Sequence, residues 1–141
     1  MSGQTVSASV EISASPKQVW HAITDPDLIK QYFFGTQVES TFEPGSSITW
    51  SGEYDGHSYQ DHGEVLEAVP EERLVVTHFS PTSGQEDVPE NYHRVSYRLD
   101  DEGERTRVTL EQDNTPDESV DDFRSNWETM LGNLKELVER G

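Results

Sequence analysis

The stretch from Ile12 to Pro26 constrains the fold more than any other part of this chain. Ser15 stands where a helix N-cap belongs, and Pro16 takes the first helical position. Its missing N–H costs nothing there, because that donor would have been unpaired anyway. Val19, Trp20 and Ile23 follow at helical spacing and form one apolar face. Asp25-Pro26 stops the helix, since a residue before proline is pushed out of the α region. Leu28, Ile29, Tyr32 and Phe33 predict a second short amphipathic helix, closed by Gly35 at C′. A strand, two short punctuated helices and a return to β-structure is an order few small folds use.

Upstream, Val6, Ala8, Val10 and Ile12 alternate with polar residues, which predicts a half-buried strand. Downstream, residues 36–42 alternate again. Ile48, Trp50, Gly52 and Tyr54 share one face of the next strand. Asp55-Gly56 is a type I′ hairpin signal, followed by a long strand over residues 57–69 in which Gly63 marks a bulge or a close approach. Residues 74–79 are strongly β-forming. Residues 81–90 lack periodicity and are expected to be a mobile loop. Two more strands cover residues 92–99 and 105–111. Thr115 and Pro116 are expected to open a last helix, in which Val120, Phe123, Trp127, Met130, Leu131, Leu134, Leu137 and Val138 form a broad stripe. The order β-α-α-β-β-β-β-β-β-α predicts an α+β fold. A curved antiparallel sheet of about seven strands would wrap around the long C-terminal helix, with two short helices between strands 1 and 2. Residues 1–141 are expected to form one domain.

Charge excludes several function classes. Twenty-eight acidic residues oppose ten basic ones, and the formal net charge is -18. Such a field repels nucleic acid and anionic membrane surfaces, so neither is an expected partner. The acidity suggests adaptation to a salty cytoplasm, where ions screen self-repulsion. Cysteine is absent, which removes disulfides and thiolate chemistry. No apolar run is long enough to span a bilayer, and the N-terminus lacks signal-peptide features, so a cytoplasmic location is expected. The five histidines match no zinc spacing, and no nucleophile elbow, phosphate loop or dinucleotide fingerprint occurs. No cofactor or metal is expected.

The blocks Ala14–Pro26, Gly52–Leu74, Thr106–Leu110 and Asn126–Leu134 together resemble the START-like (SRPBCC, helix-grip) superfamily. Within it they resemble the family of homologues of the activator of the ninety-kilodalton heat-shock protein ATPase. In the last block Asn126 replaces the glycine of the family's Gly-Trp helix. The resemblance covers essentially the whole chain and is specific for fold rather than substrate. It implies a cavity between sheet and helix. It also raises a chaperone contact, although the eukaryotic co-chaperone makes much of that contact through an additional N-terminal domain, for which 141 residues leave no room.

Alternation and helical phase point Trp50, Tyr54, Tyr97 and Trp127 inward, and Phe33 toward a rim with Tyr32 and Phe34. His78 shares its face with Leu74 and Val76 and is a candidate polar anchor, with Tyr97 or Tyr54 as its possible partner by strand parity. With Met130, the candidate ligand-binding set is therefore Phe33, Trp50, Tyr54, His78, Tyr97, Trp127 and Met130. No catalytic residue is assigned. Most of Asp61, Glu64, Glu67, Glu53 and Glu111 are expected on a solvated outer face. Three functions follow in order: binding a small hydrophobic molecule, a protein-interaction or chaperone-regulating module, and a cyclase-, dehydratase- or hydrolase-type enzyme. A dry apolar cavity would favour the first. A filled one with an exposed apolar patch would favour the second, and one holding two or more ionisable groups the third.

Overall fold

A computed structural model describes residues 4–54, 56–81, 84–115 and 119–140, with Tyr54 described by its backbone alone. Strand β1 (Gln4–Ile12) leads into helices α1 (Pro16–Thr24) and α2 (Pro26–Tyr32). Strands β2 (Gln37–Glu39), β3 (Ser47–Tyr54), β4 (His57–Val69), β5 (Arg73–His78), β6 (His93–Asp101) and β7 (Thr106–Thr115) follow, and helix α3 (Val120–Arg140) ends the chain. The sheet is antiparallel throughout, in the order β1-β7-β6-β5-β4-β3-β2. Strands adjacent in sequence at the start thus lie at opposite edges, and α1 and α2 carry the chain between them. This is the helix-grip arrangement that the sequence predicts.

The helix starts behave as local chemistry requires. Ser15 Oγ accepts from the Gln18 amide at 3.2 Å, and Gln18 Oε1 accepts from the Ser15 amide at 3.1 Å, a reciprocal capping box. Asp25 ends α1 and caps α2, accepting from the Asp27 amide at 2.9 Å. One detail departs from expectation. Phe34, with φ 54°, takes the first left-handed position after α2, and Gly35 with φ 75° is the second. An aromatic residue there costs roughly 1–2 kcal/mol. The consequence is that the Phe33 ring turns inward while Phe34 stands 59% exposed.

Gly63 is a close approach. A Cβ at this position would lie 1.8 Å from the Thr77 carbonyl oxygen, so only glycine lets β4 and β5 meet there. The register also shifts between Val65 and Glu67. The strand expected over residues 36–42 is only three residues long, and beyond it Phe42 enters the left-handed region at φ 58°. Thr115, the expected cap of α3, instead ends β7, and residues 116–118, expected to open the helix, lie outside the described set. In the loop, Thr82 and Ser83 are outside that set too. Its later part is tethered by Asp87, which accepts from the Tyr92 hydroxyl and pairs with His62 at 3.0 Å.

The core is asymmetric along α3. Met130, Leu131 and Leu134 are fully buried with Ala8, Ile12, Val108 and Leu110. This end of the helix is also pinned to the end of β1. Lys135 Nζ donates to the Glu11 carbonyl at 3.1 Å and to Glu139 at 2.6 Å, and the Ser13 amide donates to Glu139 at 2.8 Å. The Lys135 hydrogen bond is the main cause that holds the Glu139 carboxyl below its ordinary range. Among the described residues, no helix is long and apolar enough to cross a membrane.

Candidate functional site: a cavity under the N-terminal half of α3

Where α3 is not pinned, it stands off the sheet and leaves a cavity of about 1020 Å³. Its floor is Leu74, Val76, Val95 and Tyr97 from β5 and β6, with Ile48 and Trp50 from β3. Phe123 and Trp127 of α3, with Phe33 just after α2, close the other side. The Phe33 ring meets Trp127 edge-to-face at 5.9 Å. The exposed side chains Phe34, Glu53, His57 and Asn126 lie at its margin. No lysine or arginine lines it.

The walls are held by specific hydrogen bonds. Trp127 Nε1 donates to Gln112 Oε1 at 3.0 Å, and Gln112 Nε2 donates to Thr115 Oγ1 at 3.3 Å. Gln112 is buried on β7 in the inward series of Val108 and Leu110. It fixes the indole at the cavity face instead of letting it collapse onto the sheet. On the far wall, Gly52 leaves room for the Tyr59 ring, whose hydroxyl would lie 2.9 Å from a Cβ at position 52. That hydroxyl hydrogen-bonds Thr36 Oγ1 at 2.9 Å. Tyr32 is buried at the helix side, and its hydroxyl donates to the Ala22 carbonyl at 3.1 Å. Burial chiefly, with Tyr97 adding, raises the Tyr32 phenol well above its ordinary value. Burial raises Tyr97 likewise, so both line the cavity as neutral phenols.

One polar pair interrupts the apolar floor. Trp50 on β3 is directly across from Asp61 on β4. The Val65–Val76 pair and the His62–Phe79 bridge bracket His78, which places it across from Gly63 and one diagonal step from Asp61. His78 Nε2 lies 3.0 Å from Asp61 Oδ2. The His78 ring also meets Trp50 at 4.9 Å and stacks on His93 at 6.1 Å. His93 is anchored through Nδ1 to the Asp113 carbonyl at 3.0 Å. Burial lowers its pKa, the hydrogen bond to the Asp113 carbonyl opposes that, and the neighbouring His78 adds to the lowering. Asp61 Oδ1 is buried and has no hydrogen-bond partner.

Of the residues expected at a ligand, Phe33, Trp50, His78, Tyr97 and Trp127 line this one space. Met130 does not. It is sealed in the core beside Leu131, because its helical phase turns it toward the pinned end of the sheet. The side chain of Tyr54 lies outside the described residues. His78 pairs with Asp61, not with Tyr97, which sits across from Leu74 near the other end of β5. Asp61 therefore belongs to the inner face, whereas Glu64 and Glu67 are exposed as expected. His57 and His62 do face opposite sides: His57 is at the cavity margin, while His62 pairs with Asp87 and Tyr92 on the other face. Among the described residues, no group of three His, Asp or Glu side chains is placed to hold a metal ion.

The family described as "Activator of Hsp90 ATPase homolog 1-like protein" matches residues 13–139. The chain belongs to this family. Its fold is similar to that of a Cytophaga hutchinsonii protein solved in solution, at 37% identity and a TM-score of 0.86, over 99% of this chain and 97% of that one. A Chromobacterium violaceum protein shares the fold at 21% identity and a TM-score of 0.83, over 96% and 97% of the two chains. A Colwellia psychrerythraea family protein, described as an Aha1 dimer, shares it at 21% identity and a TM-score of 0.74, over 96% of each chain. No curated protein sequence matches this chain. Family membership establishes the helix-grip scaffold, and the contents of the cavity are argued from its own residues.

Proposed function

We propose that this chain binds a small, mainly apolar molecule in the space between β3–β6 and the N-terminal half of α3. The observation that carries this reading is the cavity itself, about 1020 Å³ and walled largely by aromatic and aliphatic side chains. That is at the upper end of the range for small-molecule sites. Phe33, Trp50, Tyr97 and Trp127 supply the apolar contact and His78 the polar one. Among the described residues, Phe34 is the one exposed large hydrophobic side chain. A protein-docking module would present a wider apolar patch, so a chaperone contact ranks lower.

The Asp61–His78 pair favours a second reading, a proton-transfer enzyme, because a carboxylate-oriented imidazole is a competent general base. A screen of lipophilic metabolites by thermal shift, with native mass spectrometry of the purified chain, tests the binding reading. A ligand at a hundred times its Kd stabilises by about 2.7 kcal/mol, a rise of several degrees for a chain this size. No co-purifying mass and no shift with any compound would contradict it. Turnover of a compound that binds would favour the second reading.

A further inference from the structure

We infer that the Asp61–His78 pair makes the cavity selective for neutral, flat ligands that donate an O–H or N–H hydrogen bond, and against anions. The inference rests on the binding reading above and names the ligand class. Its first support is the tautomer. A carboxylate can only accept, so the proton in the 3.0 Å contact between Asp61 Oδ2 and His78 sits on Nε2. In the neutral form of the ring, Nδ1 is then the acceptor, and it makes no hydrogen bond to any described residue. Asp61 Oδ1 has no partner either. The polar end of the cavity therefore presents the free Nδ1 of His78 to a donor, beside a buried carboxylate oxygen that lacks one.

Two other polar groups of the wall are already engaged. Gln112 and the Trp127 indole satisfy each other, and the Tyr59 hydroxyl is engaged by Thr36. The second support is charge. Glu53 and Asp61 line the space, whereas all ten lysines and arginines lie elsewhere. Arg73, Arg98, Arg107, Arg124 and Lys135 are each paired with carboxylates on the surface. A carboxylate ligand would enter a cavity lined by acid, in a chain of net charge -18, with no fixed cation to receive it. The third support is shape. Trp50 sits edge-on to His78 at 4.9 Å, and Phe33 edge-on to Trp127 at 5.9 Å. The ring faces this leaves suit an aromatic plate lying between sheet and helix.

Three probes of one size separate the arguments: 2-naphthol (one donor), 2-methoxynaphthalene (no donor) and 2-naphthoate (an anion). Calorimetric titration of the full chain should rank naphthol about tenfold tighter than the ether, the yield of one well-placed hydrogen bond, with naphthoate weakest. Asp61→Asn removes the carboxylate that fixes the proton on Nε2, so Nδ1 is no longer held as the acceptor. The naphthol preference should fall to within about twofold, while ether affinity, which also reports an intact cavity, stays unchanged. His78→Phe should give the same pattern and serves as the second variant. Equal naphthol and ether affinities, a preference surviving in both variants, or naphthoate binding tightest would overturn the inference and leave the cavity reading standing. Failure of all three probes to bind would overturn this inference, while the binding reading is decided by the metabolite screen.

Discussion

The two halves of α3 rest over the same sheet, yet one half seals it and the other leaves a room. At the C-terminal half, Met130, Leu131 and Leu134 interdigitate with β1 and β7, and Lys135 and Glu139 pin the helix down. At the N-terminal half, Phe123 and Trp127 face Trp50, Tyr97 and the Asp61–His78 pair across open space. Apolar periodicity is the same in both. Side-chain chemistry differs: flexible aliphatics fill to crystal-like density, whereas large rings braced by hydrogen bonds hold walls apart. A stripe on a helix thus says that a face is buried, and its residue types say whether the burial is filled.

The contrast can be broken most forcefully by truncation. Leu134→Ala opens a void in the sealed half and should cost about 2–5 kcal/mol in denaturant unfolding. Phe33→Ala borders space that already exists, so it should cost less than half as much while weakening ligand binding. Equal costs would mean that the open half is packed as tightly as the sealed one. Trp127→Phe comes next. It leaves buried Gln112 Oε1 without its donor and should destabilise by about 1–3 kcal/mol. Combining that change with Gln112→Leu should recover much of the loss.

The double variant Asp61→Leu with His78→Phe should unfold at the same or a higher denaturant midpoint. It replaces a half-buried ionisable pair, with one buried orphaned oxygen, by apolar groups. A large loss of stability would instead make the pair a structural strut. The smallest effect concerns pH. His93 has a lowered pKa in the folded chain, so the unfolded chain takes up the proton first as pH falls. Stability from this residue is complete above its ordinary pKa of about 6.5, and is lost as pH drops below that value toward the folded one. His93→Phe should flatten the stability-against-pH curve in that window, measured by urea unfolding between pH 7.5 and 5.

Much of the scaffold was legible because it is written in periods of two and 3.6 residues. Ser15-Pro16, Asp25-Pro26 and the His57–Val69 strand all appear where their sequence places them. The cavity's aromatic walls followed from the same alternation. Asp61 was hidden although its parity is that of Tyr59, Gly63 and Val65. In a chain this acidic, one inward carboxylate looks like its many solvated neighbours. Gln112 carried a clearer signal, a lone amide in the inward series Val108-Leu110-Gln112. Phe34 in a left-handed turn and the register that sets His78 beside Asp61 depend on contacts between distant segments, which no local pattern encodes. Met130 had the right stripe and the wrong end, since the stripe alone does not show where the helix is pinned.

The three tryptophans give the account its most direct measurement. Trp50 and Trp127 line the cavity, while Trp20 packs against the core from α1 outside it. In a two-dimensional ¹H–¹⁵N spectrum titrated with 2-naphthol, the indole signals of Trp50 and Trp127 should shift together and saturate at one equivalent, with Trp20 unmoved. Signals that all stay in place, or a Trp20 shift as large as the other two, would contradict a ligand site under the N-terminal half of α3.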